Sequence, residues 1–589
     1  MMLAEPLKRW LRRCQINQPR LAVAAAVAHW LLRLGADWQV ALAGFALAAA
    51  EAEGSSRITL GALAGQLICA EPLAPRYPER DDWLRALHAT ELVGTADSAS
   101  ALVLVADQHL SWRRLFDHEV AVAEAIAERL QMPRQTASAA LARALTQVFG
   151  DPLNAAEAAQ RRAGELALTR RLLLLTGGPG TGKTTTVARL IAVAVAAAGP
   201  TQRLRIALAA PTGKAARRLT ESLQAAAALA GSALSEAVTL HRLLGAKPGR
   251  LAFRHSQALP LEADLVIVDE ASMIDLSLMR HLLDALPATA SLVLVGDADQ
   301  LAPVEVGTVF ADLVAALEAR GDDSVLRLDH NYRASGELAR AAQAIRLHTA
   351  DPLLAQLDAG GAGLRFYRTA NAAETHSRFE QLLRSPAAAV FDGWLPITAD
   401  ASAAFAALTR VRVLAAARHG ALGLAELNRL LERGLAARAQ QQHLPRPRLP
   451  QMLTRNLPEF GLANGDIGLL EGSSAASAVR FQIAANPTAG APNEASTRVI
   501  PRSAFVDLEA AGVMTVHKAQ GSEFDTVWLL LPEADSPLLS RQWLYTAVTR
   551  ARSQCLIIGS EAALRQAIAN PLCRDSGLPE RLREIQRKG

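Results

Sequence analysis

The chain has 589 residues, with 62 basic and 57 acidic side chains and a formal net charge of +5 at pH 7. Half of the residues are hydrophobic and 20% are charged, which excludes a disordered chain. The length suits roughly three or four globular domains. The four cysteines form no C-x-x-C pair, so we expect a reducing compartment, no disulfide framework and no zinc or iron–sulfur site. The mildly basic charge permits a nucleic-acid partner without requiring one.

The N-terminal region, residues 1 to about 110, is rich in alanine and leucine and predicts a domain of amphipathic helices. Its start, LKRWLRRC followed by LAVAAAVAHWLL, has the basic beginning and apolar middle of a signal peptide. His29 interrupts that apolar stretch, Arg33 and Asp37 end it, and no apolar run reaches the roughly 18–20 residues of a membrane helix. We therefore expect a buried helix in a cytoplasmic protein without a membrane partner.

The stretch LLLLTGGPGTGKTTTVARL, residues 172–190, predicts a buried strand, a glycine-rich turn and the start of a helix. The spacing of Gly177, Gly182, Lys183 and Thr184 fits the phosphate-binding loop G-x-x-x-x-G-K-[ST]. Glycines let backbone N–H groups turn towards phosphates, and the helix N-terminus adds a positive dipole. The expected ligands are a nucleoside triphosphate and Mg²⁺, with Lys183 at the β- and γ-phosphates and Thr184 on the metal. The loop residues expected to contact the nucleotide are Gly177, Gly178, Pro179, Gly180, Thr181, Gly182, Lys183, Thr184 and Thr185.

Buried apolar runs alternate with helical patterns from residue 172 to about 330, and a second such region starts near 331. The runs end in polar residues, which is typical of parallel strands with functional groups at their carboxyl ends. Between about 440 and 510, turn dipeptides separate short β-like runs and predict a small β-rich insertion. We expect an α/β fold with domains at 1–110, 111–330 and 331–589, the last of which contains the insertion.

Polar side chains follow two of the predicted strands. LVIVDEASM places Asp269 and Glu270 at a strand end, where the aspartate is expected to hold Mg²⁺ through water and the glutamate to polarise the attacking water. The alternative is that the two carboxylates only cap the strand. VGDADQLAPV places Gln300 after the next strand, where an amide that both donates and accepts suits a γ-phosphate.

Basic residues add further candidates. Only six of the 62 basic residues are lysine, and three of these, Lys183, Lys214 and Lys518, lie in GTGKTTT, APTGKAA and TVHKAQGSE. An ammonium and a guanidinium are not interchangeable at a phosphate, so these positions are candidates for chemistry. Arg333 in HNYRASG and Arg550 in LYTAVTRARS belong to the second α/β region and could stabilise the γ-phosphate across a cleft. Surface positions are the alternative for both arginines in this arginine-rich chain.

Eight motifs occur in the order of the superfamily 1 helicase motifs: GGPGTGKTTT, APTGKAA, TLHRLLG, VDEASMID, GDADQLAPV, NYR, TVHKAQGSEFD and LYTAVTRAR. The residues of these motifs resemble those of the RecD branch, the alpha subunit of exodeoxyribonuclease V, over residues from about 155 to 560. The resemblance implies two RecA-like motor domains with ATP between them and an SH3-like barrel at the insertion. It also implies 5′→3′ movement on single-stranded DNA, processing of double-stranded DNA breaks, and RecB-like and RecC-like partners. Residues 1–110 resemble the family only loosely and are expected to dock on a partner.

Position by position, the resemblance implies that Gln160 reads adenine, Tyr332 stacks on the base and Glu523 lies near the ribose. It implies that Arg333 and Arg550 contact the γ-phosphate. The positions that it implies for strand contact are Thr212, Thr239, His241, Thr515, His517 and Lys518. The alternative for His517 is that it is a histidine of the protein core and not a strand contact.

Two other functions are alternatives to a motor subunit of a larger complex. One is a nucleotide-gated interaction subunit, and the other is a free-standing RecD-like helicase. Arginines supplied by the opposite domain favour a motor, because a passive nucleotide binder has no need of them. No lysine follows an acidic residue at the [Asp/Glu]-x-Lys spacing, so we expect any DNA cleavage to come from a partner subunit.

Overall fold

The structure is a computed structural model that describes residues 4–69, 74–133, 138–199, 204–230, 236–247, 249, 252–332, 336–395, 401–471, 477–483, 496–505 and 508–588. Its helices are α1 (Ala4–Asn17), α2 (Ala22–Arg33), α3 (Trp38–Ala52), α4 (Leu60–Leu63), α5 (Arg80–His88), α6 (Arg113–Gln131), α7 (Ala139–Phe149), α8 (Ala155–Thr169), α9 (Lys183–Ala198), α10 (Gly213–Ala230), α11 (Leu240–Leu243), α12 (Leu276–Ala285), α13 (Val309–Glu318), α14 (Glu337–Arg346), α15 (Ala350–Ala359), α16 (Ala372–Arg384), α17 (Ala401–Leu408), α18 (Leu424–Gln441), α19 (Arg541–Val548), α20 (Glu561–Ala569) and α21 (Leu578–Lys588).

The strands are β1 (Arg57–Thr59), β2 (Val93–Gly94), β3 (Leu102–Val105), β4 (His109–Trp112), β5 (Leu172–Gly177), β6 (Ile206–Ala210), β7 (Val238–Thr239), β8 (Leu265–Val268), β9 (Ser291–Gly296), β10 (Val325–Leu328), β11 (Leu364–Arg368), β12 (Val411–Ala415), β13 (Leu449–Leu453), β14 (Ile467–Glu471), β15 (Ala478–Ile483), β16 (Ser496–Pro501), β17 (Leu508–Ala510), β18 (Val513–Thr515), β19 (Phe524–Leu530) and β20 (Ala551–Gly559). In the part of the chain that the structure describes, no helix combines the length and apolar character needed to cross a bilayer.

The first α/β unit is built on a six-stranded parallel sheet in the order β10-β5-β9-β8-β6-β7. Successive residues of a strand point to opposite faces, so Leu172 and Leu174 pack with α6, α12 and α13, whereas Leu173 and Leu175 pack with α8 and α9. A strand that is covered on both faces has a continuous apolar sequence, which is why the sequence predicted β5, β8 and β9 correctly.

The second α/β unit has a five-stranded parallel sheet in the order β11-β20-β19-β12-β18. Its two faces are also covered: Leu414 belongs to the core beneath α14, α15, α19 and α20, and Val413 to the core beneath α16, α17 and α18. The predicted α/β fold with two parallel sheets is therefore confirmed.

The insertion folds as a five-stranded antiparallel sheet in the order β16-β15-β14-β13-β17. It has its own small core, which includes Leu453, Val479, Phe481, Ile500 and Phe505. The chain leaves the second unit after α18 and returns to it at β18, so the insertion does not interrupt the parallel sheet. Its β-rich character agrees with the sequence, and its likeness to an SH3 barrel stays a prediction.

The N-terminal region departs from the expectation of helices alone. Helices α1 to α3 form, but β1 to β4 also build a four-stranded sheet in the order β1-β4-β3-β2. Strands β3 and β4 pair across a turn in which Ala106 and Asp107 have φ of +52° and +53°. Glycine or asparagine, and not alanine, indicates a left-handed turn, so the sequence did not predict a hairpin at this position.

The C-terminal helix also departs from the predicted boundary at 331–589. Helix α21 leaves the second unit and packs against α6 and α13 of the first unit, where Leu578 and Leu582 join the core. A polar network, here called the terminal junction, fixes this return. Its members are Ser56, Arg57, Glu119, Asp575, Gly577, Glu580 and Arg581.

Glu119 is the centre of the terminal junction and is only 1% exposed. Its carboxylate accepts hydrogen bonds from Ser56 Oγ at 2.5 Å and from the Gly577 amide at 2.8 Å, and it pairs with Arg581 Nε at 3.0 Å. Arg57 pairs with Asp575 at 2.6 Å and with Glu580 at 2.5 Å. The junction thus joins the N-terminal domain, α6 and the end of the chain by ion pairs, in which the buried Glu119 and Arg57 both have partners.

Replacing Glu119 by alanine should lower the melting temperature of the full chain, because Arg581 would lose its buried ion partner. Breaking a buried ion pair costs about 3–5 kcal/mol. Scanning calorimetry measures the change, and Glu124→Ala, at an exposed position of the same helix, is the control. Equal melting temperatures for the two variants would contradict the role of the junction.

Candidate functional site

The glycine-rich loop joins β5 to α9 and depends on residues without a side chain. Gly180 and Gly182 have φ of +81° and +83°, a conformation that favours glycine. A Cβ on Gly182 would also lie 3.0 Å from Gln160 Nε2, and one on Gly177 would lie 2.6 Å from the Leu328 carbonyl oxygen. The loop therefore needs these glycines both for its turn and for the close packing around it.

Lys183 lies at the start of α9, where the helix dipole favours an anion. Its Nζ donates to the carbonyl oxygens of Gly177 at 2.6 Å and Gly178 at 2.9 Å. Thr181 Oγ1 also donates to the Gly178 carbonyl, at 2.8 Å. The ammonium is thus held directly over the loop.

Gln160 and Tyr332 lie beside the same loop. Gln160 is buried, and its Oε1 accepts from an Arg189 guanidinium nitrogen at 3.0 Å. The Tyr332 amide donates to the Gly180 carbonyl at 2.9 Å, and its ring is exposed and would lie 3.4 Å from a Cβ on Gly182. Both predicted base contacts are therefore adjacent to the loop. Arg189 was missed, because nothing in its sequence context separates it from the many surface arginines.

Asp269 and Glu270 follow β8 on the cleft side of the sheet. Burial, and next the charge of Glu270, raise the pKa of Asp269 to about 6. The Glu270 amide donates to Asp269 Oδ1 at 2.9 Å, and Glu270 has a φ of +52°. A residue other than glycine in this conformation is strained, and such strain is concentrated at functional sites.

The second unit forms the opposite wall of the cleft. Arg218 of α10 reaches across it and donates to Glu523 Oε2 at 2.8 Å and to the Gly521 carbonyl at 3.0 Å. Glu523 also pairs with Arg552 Nε, at 3.1 Å. Glu523 therefore lines the cleft, and its carboxylate is shared by two arginines. Arg218 was not predicted.

Arg550 is 2% exposed and lines the cleft from the second unit. Its Nε donates to the Thr546 carbonyl at 3.1 Å, and a terminal nitrogen donates to the Ser522 carbonyl at 3.2 Å. These neutral acceptors fix the guanidinium without cancelling its charge. Arg333, the second predicted γ-phosphate arginine, lies outside the described residues.

Gln300 follows β9 and also lines the cleft. The cleft has a volume of about 400 Å³. The predicted site residues that line it are Gln160, Pro179, Gly180, Gly182, Lys183, Thr184, Thr185, Asp269, Glu270, Gln300, Tyr332, Glu523 and Arg550. Residues separated by as many as 390 positions are thus brought together, because the carboxyl ends of parallel strands lie at one edge of a sheet.

The predicted strand-contacting threonines lie at helix starts and turns near the strand ends. Thr212 Oγ1 accepts from the Ala215 amide, Thr239 Oγ1 from the Arg242 amide and Thr515 Oγ1 from the Lys518 amide, at 3.2, 3.2 and 3.3 Å. Each hydroxyl therefore has a local structural partner. A threonine in such a position supports the turn whether or not DNA is present.

The other three predicted strand contacts differ in exposure. His241 is exposed, and its ring centroid lies 5.8 Å from that of Phe253. Lys518 pairs with Glu509 of the insertion. Burial, followed by the charges of Arg574 and Arg418, lowers the pKa of His517 to about 4. His517 is thus a neutral, partly buried side chain at neutral pH.

Two family models match the chain. One, described as an AAA domain, matches residues 160–306, and the other, described as a UvrD-like helicase C-terminal domain, matches residues 510–558. With a phosphate-binding loop in one unit, a buried arginine in the other and a cleft between them, these matches define the chain as a helicase with two P-loop-type motor units.

The family is defined by longer matches. The RecBCD enzyme subunit RecD of Mycobacterium tuberculosis is 38% identical over 521 residues, which cover 86% of this chain and 85% of that protein. The subunit of the same name from Mycolicibacterium smegmatis is 36% identical over 550 residues, covering 90% and 91%. The chain belongs to the RecD family.

A further relative, the ATP-dependent RecD2 DNA helicase of Deinococcus radiodurans, is 34% identical over 428 residues. This match covers 70% of the chain and 50% of that protein. Among solved structures, Bacteroides Pif1 bound to single-stranded DNA has a TM-score of 0.37 and 18% identity, covering 68% of this chain and 91% of that one.

Replacing Gly182 by alanine should weaken nucleotide binding at least about tenfold, because the new Cβ meets Gln160 and the left-handed turn is strained. Gly199→Ala is a matched control, since Gly199 also has a positive φ, +72°, but has no atom within 4 Å of the position that a Cβ would occupy. Titration with a fluorescent ATP analogue measures both affinities. An equal loss in the two variants would show that backbone strain alone, and not the loop's packing, governs binding.

Proposed function

We propose that this chain is an ATP-driven motor that moves 5′→3′ along single-stranded DNA. It acts as a subunit of a helicase–nuclease complex that processes double-stranded DNA breaks, with RecB-like and RecC-like partners. The observation that carries the motor is the cleft itself, where the loop of the first unit and Arg550 of the second line one cavity. The names of the mycobacterial relatives support the complex.

The first unit holds the nucleotide in this proposal. Lys183 neutralises the β- and γ-phosphates, and the loop amides and the α9 dipole add fixed positive ends. Gln160 offers both a donor and an acceptor to adenine, and the exposed ring of Tyr332 stacks on the base. Glu523 lies near the ribose while it remains paired with Arg218 and Arg552.

Thr184 and Asp269 fit a magnesium site, because hydroxyl and carboxylate oxygens are the ligands that Mg²⁺ prefers. Mg²⁺ held there would neutralise negative charge that develops on the phosphates during phosphoryl transfer. Asp269 would hold the ion through a water molecule. Burial raises the pKa of this carboxylate, and the charges of Lys183 and Arg218 oppose that shift without cancelling it, which suits a group that a bound cation would stabilise.

Hydrolysis in this proposal needs groups from both units. Glu270 accepts a proton from the attacking water, Gln300 contacts the γ-phosphate, and Arg550 with Arg333 stabilises the charge of the transition state. Because Arg550 belongs to the second unit, turnover requires that the cleft be closed. Each cycle of binding and hydrolysis then moves one sheet relative to the other.

That relative movement is what a motor transmits to DNA. The proposed strand contacts of the first unit are Thr212, Thr239 and His241, and those of the second are Thr515, His517 and Lys518. A strand that crosses both sheets is gripped at two points, and the distance between them changes with the nucleotide. A nucleotide-gated interaction subunit would need no second-unit arginine in the cleft, so the position of Arg550 favours the motor.

The outward face of α2 supports a partner-docking role for the N-terminal domain. Val23, Trp30 and Leu34 follow helical spacing on one side and are 66%, 57% and 56% exposed, and Ile16 of α1 is 80% exposed. Arg12 of α1 and other arginines of this segment are exposed as well. An exposed apolar stripe in a basic segment suits a partner subunit that offers an apolar surface with acidic side chains.

The motor is tested with duplexes that carry either a 5′ or a 3′ single-stranded tail. The wild-type chain should unwind the 5′-tailed duplex, and single-stranded DNA should stimulate its ATPase. Lys183→Gln should abolish turnover because it removes the charge that holds the phosphates. Glu270→Gln should retain ATP binding and lose hydrolysis, because only the proton acceptor is changed.

Fluorescent strand displacement and phosphate release measure the two activities side by side. Unwinding from 3′ tails alone would overturn the direction of movement. Wild-type hydrolysis by the Glu270→Gln variant would overturn the assignment of the proton acceptor. Turnover that DNA does not stimulate would favour the nucleotide-gated subunit instead.

Trp30→Asp should prevent co-purification with RecB-like and RecC-like subunits, because it places a charge in the centre of the apolar stripe. The ATPase of the isolated chain should stay intact. Leu153→Asp is the matched control, since Leu153 is 90% exposed outside the N-terminal domain. Co-expression followed by affinity purification measures the complex, and a nuclease assay on each preparation shows whether cleavage requires the partners. A stable complex with Trp30→Asp would refute this docking surface.

A further inference from the structure

Tyr545 of α19 is a buried polar residue that the proposed chemistry has not used. It is 5% exposed, and its hydroxyl donates to Asp297 Oδ2 at 3.2 Å. Tyr545 belongs to the second unit, whereas Asp297 follows β9 of the first. The hydrogen bond therefore crosses the boundary between the two units beside the cleft.

The same carboxylate oxygen binds Gln300. Gln300 Nε2 donates to Asp297 Oδ2 at 3.0 Å, and Asp297 Oδ1 accepts from the Asp299 amide at 3.1 Å. With its amino group directed to the aspartate, the Gln300 amide has a fixed orientation where it lines the cleft. Asp297 thus connects the tyrosine to the glutamine through one shared acceptor.

The tyrosine hydroxyl also lies against the phosphate-binding loop. A Cβ on Gly178 would lie 2.9 Å from Tyr545 Oη, and the Gly178 carbonyl accepts the bond from Lys183. Burial, and next the charge of Asp297, raise the pKa of Tyr545 well above its ordinary value. The phenol therefore stays protonated and remains a donor.

Neighbouring bonds hold α19 against the Gln300 loop. The Leu301 amide donates to Thr546 Oγ1 at 2.8 Å, and Gln520 Nε2 donates to the Leu301 carbonyl at 2.7 Å. The carbonyl of the same Thr546 accepts from Arg550. One short helix thus carries the tyrosine, the contact with the Gln300 loop and the support of the cleft arginine.

We propose that Tyr545 is a positioning residue for ATP hydrolysis, which orients Gln300 through Asp297 only when α19 of the second unit is docked on the first. A hydrogen bond weakens steeply with distance and angle, so a small separation of the units releases the glutamine. Closure of the cleft therefore sets the geometry of the γ-phosphate contact as well as delivering Arg550. This inference rests on the proposed motor function.

Tyr545→Phe tests the hydroxyl alone, because the ring and its packing are retained. In the full chain, the DNA-stimulated kcat should fall about tenfold, as expected for the loss of one hydrogen bond to a charged group. The KM for ATP should change less than about twofold, because the ring, Lys183 and the loop are untouched. Tyr77→Phe, at another buried tyrosine, is the matched control and should behave as wild type.

A double-mutant cycle separates positioning from structural support. If Tyr545 acts through Gln300, Tyr545→Phe should change kcat by less than about twofold in a Gln300→Ala background. Full additivity of the two losses, or a wild-type kcat in Tyr545→Phe, would overturn the inference. So would a raised KM with an unchanged kcat. A wild-type chain that DNA does not stimulate would instead refute the proposed function on which the inference rests.

Discussion

Polar hydrogen bonds across the cleft join the two α/β units, and the proposed motor depends on them. Three hydrogen bonds join the first unit to the second: Arg218 with Glu523, Asp297 with Tyr545, and the Leu301 amide with Thr546. All lie near the carboxyl edges of the two parallel sheets. In the proposed motor, a highly charged nucleotide bound at that edge would act on both sets of bonds at once, and its hydrolysis would be coupled to the separation of the sheets.

Helix α10 has a special position in this arrangement. Its neighbouring residues Arg217 and Arg218 bind different parts of the chain, since Arg217 pairs with Asp466 of the insertion and Arg218 with Glu523 of the second sheet. The helix starts directly after Thr212, one of the proposed strand contacts. In the proposed motor, a shift of the second unit would therefore reach α10 at two points, and a DNA strand bound at the beginning of this helix would be affected.

The rest of the first unit is held rigidly from the other side. The terminal junction ties the N-terminal domain and α21 to α6, and the α6 and α21 side chains enter the core beneath the first sheet. The N-terminal domain and the end of the chain thus move with the first unit. A partner subunit bound to the α2 face would be attached to the same rigid body as the phosphate-binding loop, which leaves the second unit to move against it.

The sequence by itself determined the local chemistry. The loop around Lys183, the carboxylates Asp269 and Glu270, and the apolar runs of β5, β8 and β9 were identified because glycine spacing and continuous burial leave marks along the chain. Gln160 was identified only through the resemblance to a family, and Arg550 was a candidate with a surface position as its alternative, since neither residue type is unusual in its local context. The position of both in one cleft agrees with that resemblance.

Only the tertiary structure decided which side chains share a partner. Arg218 and Tyr545 gained their roles from residues more than 240 positions away, and one more arginine or buried tyrosine carries no signal of that distance. The return of α21 to the first unit was hidden for the same reason, whereas the hairpin at Ala106 was hidden because alanine does not indicate a left-handed turn. Local patterns record how a residue suits its own strand or helix, whereas pairing across elements depends on how the sheets and helices pack together.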